Sequence, residues 1–451
     1  MNEPLACRLT PDTRHPTPST PMPTDARVLR ILIANLLLRV AASAAAVVAA
    51  LYLTQINENL RGVAAWEVSL IVAISYTAIE LPLSPLAGAW SDRFGSRRLL
   101  IVGPLLAAAG TLLMAFSTAT ALLALGRLLG GGAAALTTPP MLKQMTAYTE
   151  DDPKLRSQAV SLYQLTGLLG FVIGSGAGGF LFAWMAEAAF SLLAAVYAAP
   201  ALLLWAALLY QDESAPTGST PPPKWGRLGG GEQSHWRVHL RLLRLPSMRG
   251  FVPAWLAFNL ILGLWLSQIA YQLGGPQWAG QRLPGGFSDS EVGLLFAGYG
   301  GTILLGLLVW FWLLPRMRRS SALFVAAGGL VGTSVAVLLL NRWEGWLVWP
   351  ALLLLAVSVM VEAGFAPATL ALLGDISDEA QTSRGALMGL YNVLLGGGQL
   401  VGGWIGGLAA GWAAIDGLSY ATLLLAALTV LFVLPLHRME KMAKKDTDLR
   451  G

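Results

Sequence analysis

The sequence predicts an all-α membrane protein with twelve transmembrane helices in two pseudo-symmetric six-helix bundles. Three observations carry this reading. Apolar runs of about twenty residues recur along the whole chain, and each can cross a hydrocarbon layer about 30 Å thick. Only 12% of the 451 residues are charged and 55% are hydrophobic, whereas soluble chains carry about 25% charge. The second half of the chain also repeats the first.

The elements follow in order. Residues 1–27 contain PDTRHPTPSTPMPTDAR, a Pro/Thr-rich cytoplasmic tail with too little apolar surface to fold alone, so it is expected to be disordered. It has no short apolar core followed by a small-residue cleavage site, so it does not read as a secretory signal peptide. Six spans are expected in residues 28–210, near 28–54, 64–88, 98–117, 119–142, 157–183 and 187–210. Residues 211–249 form a polar Pro/Gly linker, with an amphipathic basic helix expected near Trp236–Leu245 on the membrane surface. Six more spans are expected in residues 250–436, near 250–272, 290–314, 321–341, 345–372, 385–411 and 417–436, followed by a tail at 437–451. With both termini cytoplasmic, 25 of the 30 Lys and Arg face inward and only Arg61, Arg282 and Arg342 face outward. That is the positive-inside pattern of a multi-pass protein of the cell membrane.

Four matches in consistent order carry the internal repeat. LYLTQI at Leu51–Ile56 matches LWLSQI at Leu264–Ile269, and WEV at Trp66–Val68 matches SEV at Ser290–Val292. Pro139 and Pro367 are 228 residues apart, and the same offset aligns the stretch starting at Arg156 with that starting at Arg384. Gly170, Gly174, Gly178 and Gly179 recur as Gly398, Gly402, Gly406 and Gly407. Parallel copies imply halves related by an axis along the membrane normal, with a site between them near the midplane. The glycine rows also predict close helix packing.

Several chemistries are excluded. Cys7 is the only cysteine, so there is no disulfide within the chain and no cysteine-based metal site. His235 and His239 are four apart but have no third ligand, and they read as part of a solvated basic linker. No phosphate-binding Gly-Lys-Ser/Thr loop occurs, which disfavours ATP-driven pumping. No hydrolytic constellation occurs either, so the chain does not read as an enzyme. No cofactor, metal or nucleic acid is expected, and the protein is expected to be a monomer whose partners are the bilayer, a small-molecule substrate and protons.

Charges inside the spans mark the functional candidates, because an ion at a helix centre costs about 2.5–3.5 kcal/mol on insertion scales and so faces a cavity or a partner. They are Glu80, Arg127 and Glu362, with Glu362 the leading proton-binding candidate. Arg39, nearer the cytoplasmic end of the first span, is read as snorkelling to the interface. Gln55, Asn259, Gln268, Tyr271 and Asn392 are candidates for a polar cavity lining, with Trp255 and Trp265 either walling it or packing.

The segment GAWSDRFGSRR at Gly88–Arg98 follows the second span. Gly88 and Gly95 suit a tight cytoplasmic turn that needs left-handed backbone, and Arg93, Arg97 and Arg98 anchor it. Its pattern, Gly-x-x-x-Asp-Arg-x-Gly, resembles motif A of the major facilitator superfamily, with Gly88, Asp92, Arg93 and Gly95 matching and Ser96 replacing the first closing arginine. The resemblance covers about residues 28–436. It implies that Asp92 acts as a conformational latch near the N-terminus of the eleventh helix, around Gly385–Met388. The segment LLPRMRRSS in the second half keeps the basic residues without Asp or Gly, so latching would be asymmetric. ALGRLLGGGAAA around Arg127 resembles motif B, which links this arginine either to proton transfer or to holding a carboxylate; a structural role ordering the bundle is the alternative. GSGAGG at Gly174–Gly179 resembles motif C of proton-exchanging exporters, with Ser175 in place of the usual proline. The resemblance thus implies proton-coupled export of an amphipathic or drug-like molecule. A facilitator or symporter for a small neutral nutrient, and a non-transporting sensor or assembly factor, are the alternatives.

Overall fold

A computed structural model describes residues 26–149, 153–209, 246–380 and 384–448. The expected disordered tail, the linker with its amphipathic helix, and Cys7, His15, His235 and His239 lie outside the described residues.

The N-terminal bundle comprises α1 (Ala26–Asn59), α2 (Ala65–Phe94), α3 (Ser96–Ala115), α4 (Thr120–Tyr148), α5 (Pro153–Met185) and α6 (Ala188–Leu209). The C-terminal bundle begins with α7 (Pro246–Gly274), α8 (Asp289–Leu313) and α9 (Arg319–Leu340). It continues with α10, whose two segments Val348–Glu362 and Phe365–Ala380 meet at a break beside Gly364. One helical stretch, Arg384–Asp448, then holds two crossings. At about 1.5 Å per residue its 65 residues would far exceed a bilayer, and Ala413 and Ala414 leave helical geometry in its middle. It is therefore α11 (384–412) and α12 (415–448), which brings the crossings among the described residues to twelve.

That break repeats the N-terminal bundle. Ala414 has φ 46°, and so does Ala186 in the turn between α5 and α6. The two are 228 residues apart, the offset of the sequence repeat. An alanine in left-handed backbone is unusual, so the duplication extends to the conformation of the turn.

Helices run past the apolar spans because hydropathy marks the hydrocarbon slab and not the helix end. The clearest case is GAWSDRFGSRR. Expected as a turn, it is mostly helix, with α2 continuing to Phe94 and a single left-handed residue, Gly95 (φ 84°), before α3. Gly88 is helical and takes no part in the reversal.

The duplicated glycines divide by task. A side chain at Gly170 would lie 2.6 Å from Arg39 Cβ, and at Gly178 2.9 Å from Ala44 O; with Gly174 these seat α5 on α1. Gly398, Gly402 and Gly406 seat α11 on Asn259, Leu260 and Leu264 of α7 in the same way. The fourth member of each row faces the opposite bundle. Gly179 abuts Asp289 and Gly293 of α8, and Gly407 abuts Trp66 and Ser69 of α2.

Two outcomes should follow from this division. Gly178→Val and Gly406→Val each overpack one bundle and are expected to cost about 1–3 kcal/mol, read as a lower melting temperature in detergent. Gly179→Val is expected to leave the melting temperature near wild type while raising thiol labelling of a Thr54→Cys reporter, because it obstructs only the contact between bundles.

Candidate transport pathway

The side carrying both ends of the described chain is called here the terminal side, and the opposite side the far side. On the far side the bundles are sealed by hydrogen bonds that cross between them. The Gln268 amide of α7, 1% exposed, donates to the Ala65 carbonyl at 2.7 Å and to Ser69 Oγ at 2.7 Å, both at the start of α2. Ser69 Oγ donates to Ser267 Oγ at 3.2 Å, and the Tyr271 hydroxyl donates to the Val63 carbonyl at 3.3 Å. The glycine contacts of α5 with α8 and of α11 with α2 close the same side. Gln268 and Tyr271, expected in a cavity lining, here join the two bundles across the far-side seam.

The seam leans on a rigid far-side framework in the C-terminal bundle. Buried Asn341 donates to Asp416 Oδ1 at 2.7 Å and to Gln281 Oε1 at 2.9 Å, and its own Oδ1 accepts the N–H groups of Arg282 and Leu283. Arg342 pairs with Asp416, which is 4% exposed. Gln281 donates to the Ala413 carbonyl at 2.8 Å, so the loop before α8 ties down the α11–α12 turn.

The terminal side differs. Asp92 is 71% exposed and pairs with Lys143 of α4, within its own bundle. The side chains of the expected latch partner, Gly385–Met388, lie outside the described residues. Arg93 stacks over the Phe94 ring at 5.4 Å, and Arg98 is exposed. Across the bundles, Gly396 of α11 meets Leu81 of α2 near mid-helix. The structure is thus closed on the far side.

Arg127 shows how an ion is held at this depth. The α2 segment Leu70–Ile74 forms a π-helical turn, a widened turn that leaves backbone carbonyls without their helical donors. Arg127 Nη2 donates to the Val72 carbonyl at 2.8 Å and Nε to the Ile71 carbonyl at 3.2 Å, and the guanidinium lies 5.0 Å from the Tyr76 ring centroid. The same turn presents Ile74 to Gly403 of α11, so Arg127 holds α2 in the shape that meets the other bundle.

Glu362 lies in α10 two residues before the break, 8% exposed. It accepts from Thr333 Oγ1 of α9 at 2.7 Å and from the Tyr299 hydroxyl of α8 at 3.2 Å. Trp310 donates to the Met360 and Val361 carbonyls, both at 3.1 Å, and its ring fills the space a side chain at Gly364 would need.

Glu80 of α2 is half-buried beside Arg39 of α1. Arg39 does not snorkel. It lines a cavity inside the N-terminal bundle with Asn35, Tyr76, Thr137, Thr138 and Tyr197, because Gly170 lets α5 pass directly over its Cβ.

The remaining candidates scatter. Asn259 is fully buried under Gly398, donates to the Trp255 carbonyl at 2.8 Å and leaves its Oδ1 without a partner. Trp265 donates to Thr422 of α12 at 2.8 Å, inside its own bundle. Trp255 stacks on Tyr391 at 4.6 Å and on Phe258 at 5.7 Å, forming core and not wall. Gln55 is half-buried with Oε1 unpaired, and Asn392 is exposed. Sequence reasoning passed over Tyr76, Tyr163, Tyr197, Ser69, Tyr299 and Thr333. Their only signal is a hydroxyl inside an apolar run, which many packing residues share.

The family model of the Major Facilitator Superfamily matches residues 31–285. Multidrug resistance protein 2 of Bacillus subtilis (strain 168) is 34% identical over 109 residues, 24% of this chain and 26% of that protein. Multidrug resistance protein 1 of the same organism is 30% identical over 129 residues, 27% of this chain and 32% of that protein. The chain thus spans about a quarter to a third of the length of these curated relatives. Among solved structures, the nucleoside transporter NupG superimposes with a TM-score of 0.66 at 14% identity, covering 92% of this chain and 99% of that one.

The gate makes a quantitative prediction. Gln268→Leu removes two cross-bundle hydrogen bonds, each worth about 0.5–1.5 kcal/mol. The far-side-closed population is expected to fall about 5- to 150-fold relative to the open one. Pulsed distance measurements between spin labels on Asn59 and Gln277 would read this as a longer mean separation.

Proposed function

The chain belongs to the Major Facilitator Superfamily, and we propose that it is a secondary active transporter that exports an amphipathic or drug-like small molecule in exchange for protons. One observation supports the reading above the others: the two bundles are sealed on the far side by a seam of a few hydrogen bonds, glycine contacts and apolar packing, and among the described residues no such seam joins them on the terminal side. Such a seam forms and breaks as a unit. The C-terminal bundle has a core around Trp255 and Phe365, and the core around Leu51, Leu53 and Phe190 continues across the far-side seam to Tyr271, Leu273 and Val292, so opening the seam exposes those apolar side chains without unfolding the helices.

In this reading the basic surfaces, and therefore the termini, face the cytoplasm, and the structure is open to that side. The protein resides in the cell membrane. When the cytoplasmic side closes, Asp92 leaves Lys143 and meets the positive end of α11. Glu362 is the coupling group. It is buried and held by two hydroxyls, and among the described residues no cationic side chain pairs with it. Its charge is therefore balanced by a proton, taken up or released when the break beside Gly364 lets water reach it. The multidrug names of the partial relatives support an amphipathic substrate class.

Two measurements test this. In proteoliposomes loaded with amphipathic dyes of differing charge, an imposed proton gradient is expected to drive efflux by the wild type. Glu362→Gln is expected to lose about tenfold or more of the gradient-driven rate, in line with general acid–base groups, while dye counterflow continues; an unchanged gradient dependence would remove Glu362 from coupling. Asp92→Asn gives up an exposed pair worth about 0–1 kcal/mol, so its melting temperature should stay near wild type. The lost helix-terminus contact, about 0.3–2 kcal/mol, should slow exchange several-fold in the same assay.

A further inference from the structure

The far-side seam has two halves, and the internal repeat makes each the counterpart of the other. LYLTQI at Leu51–Ile56 matches LWLSQI at Leu264–Ile269, so Gln55 corresponds to Gln268 and Glu58 to Tyr271. WEV at Trp66–Val68 matches SEV at Ser290–Val292, so Asp289 corresponds to Ala65. On one half α7 meets the start of α2, and neutral donors close the contact: the Gln268 amide on the Ala65 carbonyl and the Tyr271 hydroxyl on the Val63 carbonyl. On the other half the chemistry changes. Glu58 stands where the tyrosine hydroxyl would be, Asp289 takes the place of the alanine, and Gln55 Oε1 is buried without a hydrogen-bond partner.

The two carboxylates belong to one junction. A side chain at Gly274 of α7 would lie 2.9 Å from Leu51 of α1 and 3.9 Å from Asp289 Oδ1 of α8, and Gly179 of α5 abuts the Asp289 backbone. Glu58 follows Leu51 by two helical turns, on the same face of α1, and is a charged neighbour of both Asp289 and Tyr271. Asp289 is half-buried and Glu58 is exposed. The cations of this side are engaged elsewhere: Arg61 pairs with Glu67 at 2.9 Å, Arg282 with Glu344 at 3.5 Å, and Arg342 with Asp416. Glu291 of α8 is tied to Ser288 in a capping box. Among the described residues, no cation is paired with Glu58 or Asp289.

We propose that Glu58 and Asp289 form a pH-sensitive switch in the far-side seam, which closes fully when the pair holds a proton and is pushed apart when both carboxylates are ionised. Glu58 belongs to the N-terminal bundle and Asp289 to the C-terminal one, so the repulsion of like charges acts across the seam. One bound proton removes that repulsion and adds an O–H donor. Such a donor is what Tyr271 supplies on the matching half and what Gln55 Oε1 lacks. Both residues lie beyond the apolar spans, and Glu58 is open to the far-side medium, so the proton comes from that side. The switch is separate from Glu362, which is held inside the C-terminal bundle, and it does not depend on which molecule is carried.

Pulsed distance measurements between spin labels at Thr118 and Trp346, on far-side turns of the two bundles, read the seam in the purified full-length protein with Cys7→Ser. Because proton binding accompanies closure, the closed fraction must fall as pH rises. The wild type is expected to shift several-fold from closed towards open between about pH 4.5 and about pH 8. Glu58→Gln and Asp289→Asn each remove one of the two charges, and each is expected to stay closed at both pH values. Glu58→Tyr, which copies the matching half, is expected to do the same, and Glu58→Asp to keep the response. A wild-type separation independent of pH, a closed fraction that rises with pH, or an unchanged response in either Glu58→Gln or Asp289→Asn would overturn the switch. Should one of these variants not remain monodisperse, the other decides. Glu362→Gln separates this result from the coupling reading: it is expected to keep the response, and a response lost there but kept in Glu58→Gln overturns the switch. Gradient-driven efflux plays no part in the measurement, so its absence would leave the switch standing.

Discussion

Polar groups inside a water-free slab must find partners within the protein, and most of this structure follows from that constraint. The α2 carbonyls turned out by the π-helical turn are met by Arg127. The α10 carbonyls before the break at Gly364 are met by Trp310. Glu362 finds Thr333 and Tyr299, and Gln268 finds the Ala65 carbonyl and Ser69. In each case an irregular or charged feature on one helix is answered by a side chain on another, so helix irregularity and helix packing are a single problem.

The duplicated bundles use the same backbone and different chemistry. Both pack the second helix of a glycine row on the first helix of the bundle, and both turn back through an alanine in left-handed geometry. Their charges differ. The N-terminal bundle keeps Arg39 in the lining of a small cavity, with Glu80 and the π-turn-bound Arg127 on neighbouring turns. The C-terminal bundle keeps one glutamate held by hydroxyls, and a far-side network around Asn341 and Asp416. A near-symmetric frame thus carries unequal polar contents, and in the C-terminal bundle Gln281 and Asn341 tie the loop before α8 to the α11–α12 turn.

The far-side seam combines few polar contacts with close backbone packing. Glycine rows bring backbones together, four hydrogen bonds between neutral groups cross the seam among the described residues, and Leu51 packs with Tyr271, Leu273 and Val292 beside them.

Span number, duplication and the depth of Glu80, Arg127 and Glu362 were legible in the amino-acid sequence, because hydropathy and residue spacing are one-dimensional and the bilayer makes depth a function of position along the chain. The glycine rows were legible as packing surfaces for the same reason. Which neighbour each glycine meets was not, since Gly178 and Gly179 are adjacent in sequence yet face different bundles. The partners of Arg127 depended on a π-helical turn that no residue pattern announces, and Arg39 lines a cavity only because Gly170 brings α5 across it. Gln268 and Tyr271 are polar residues in an apolar run like any cavity-lining pair, and only the approach of α2 makes them a gate. Sequence sets how deep a group lies; rotation about each helix axis and the choice of neighbour are settled by packing among twelve helices, and that packing decides what a buried polar group does.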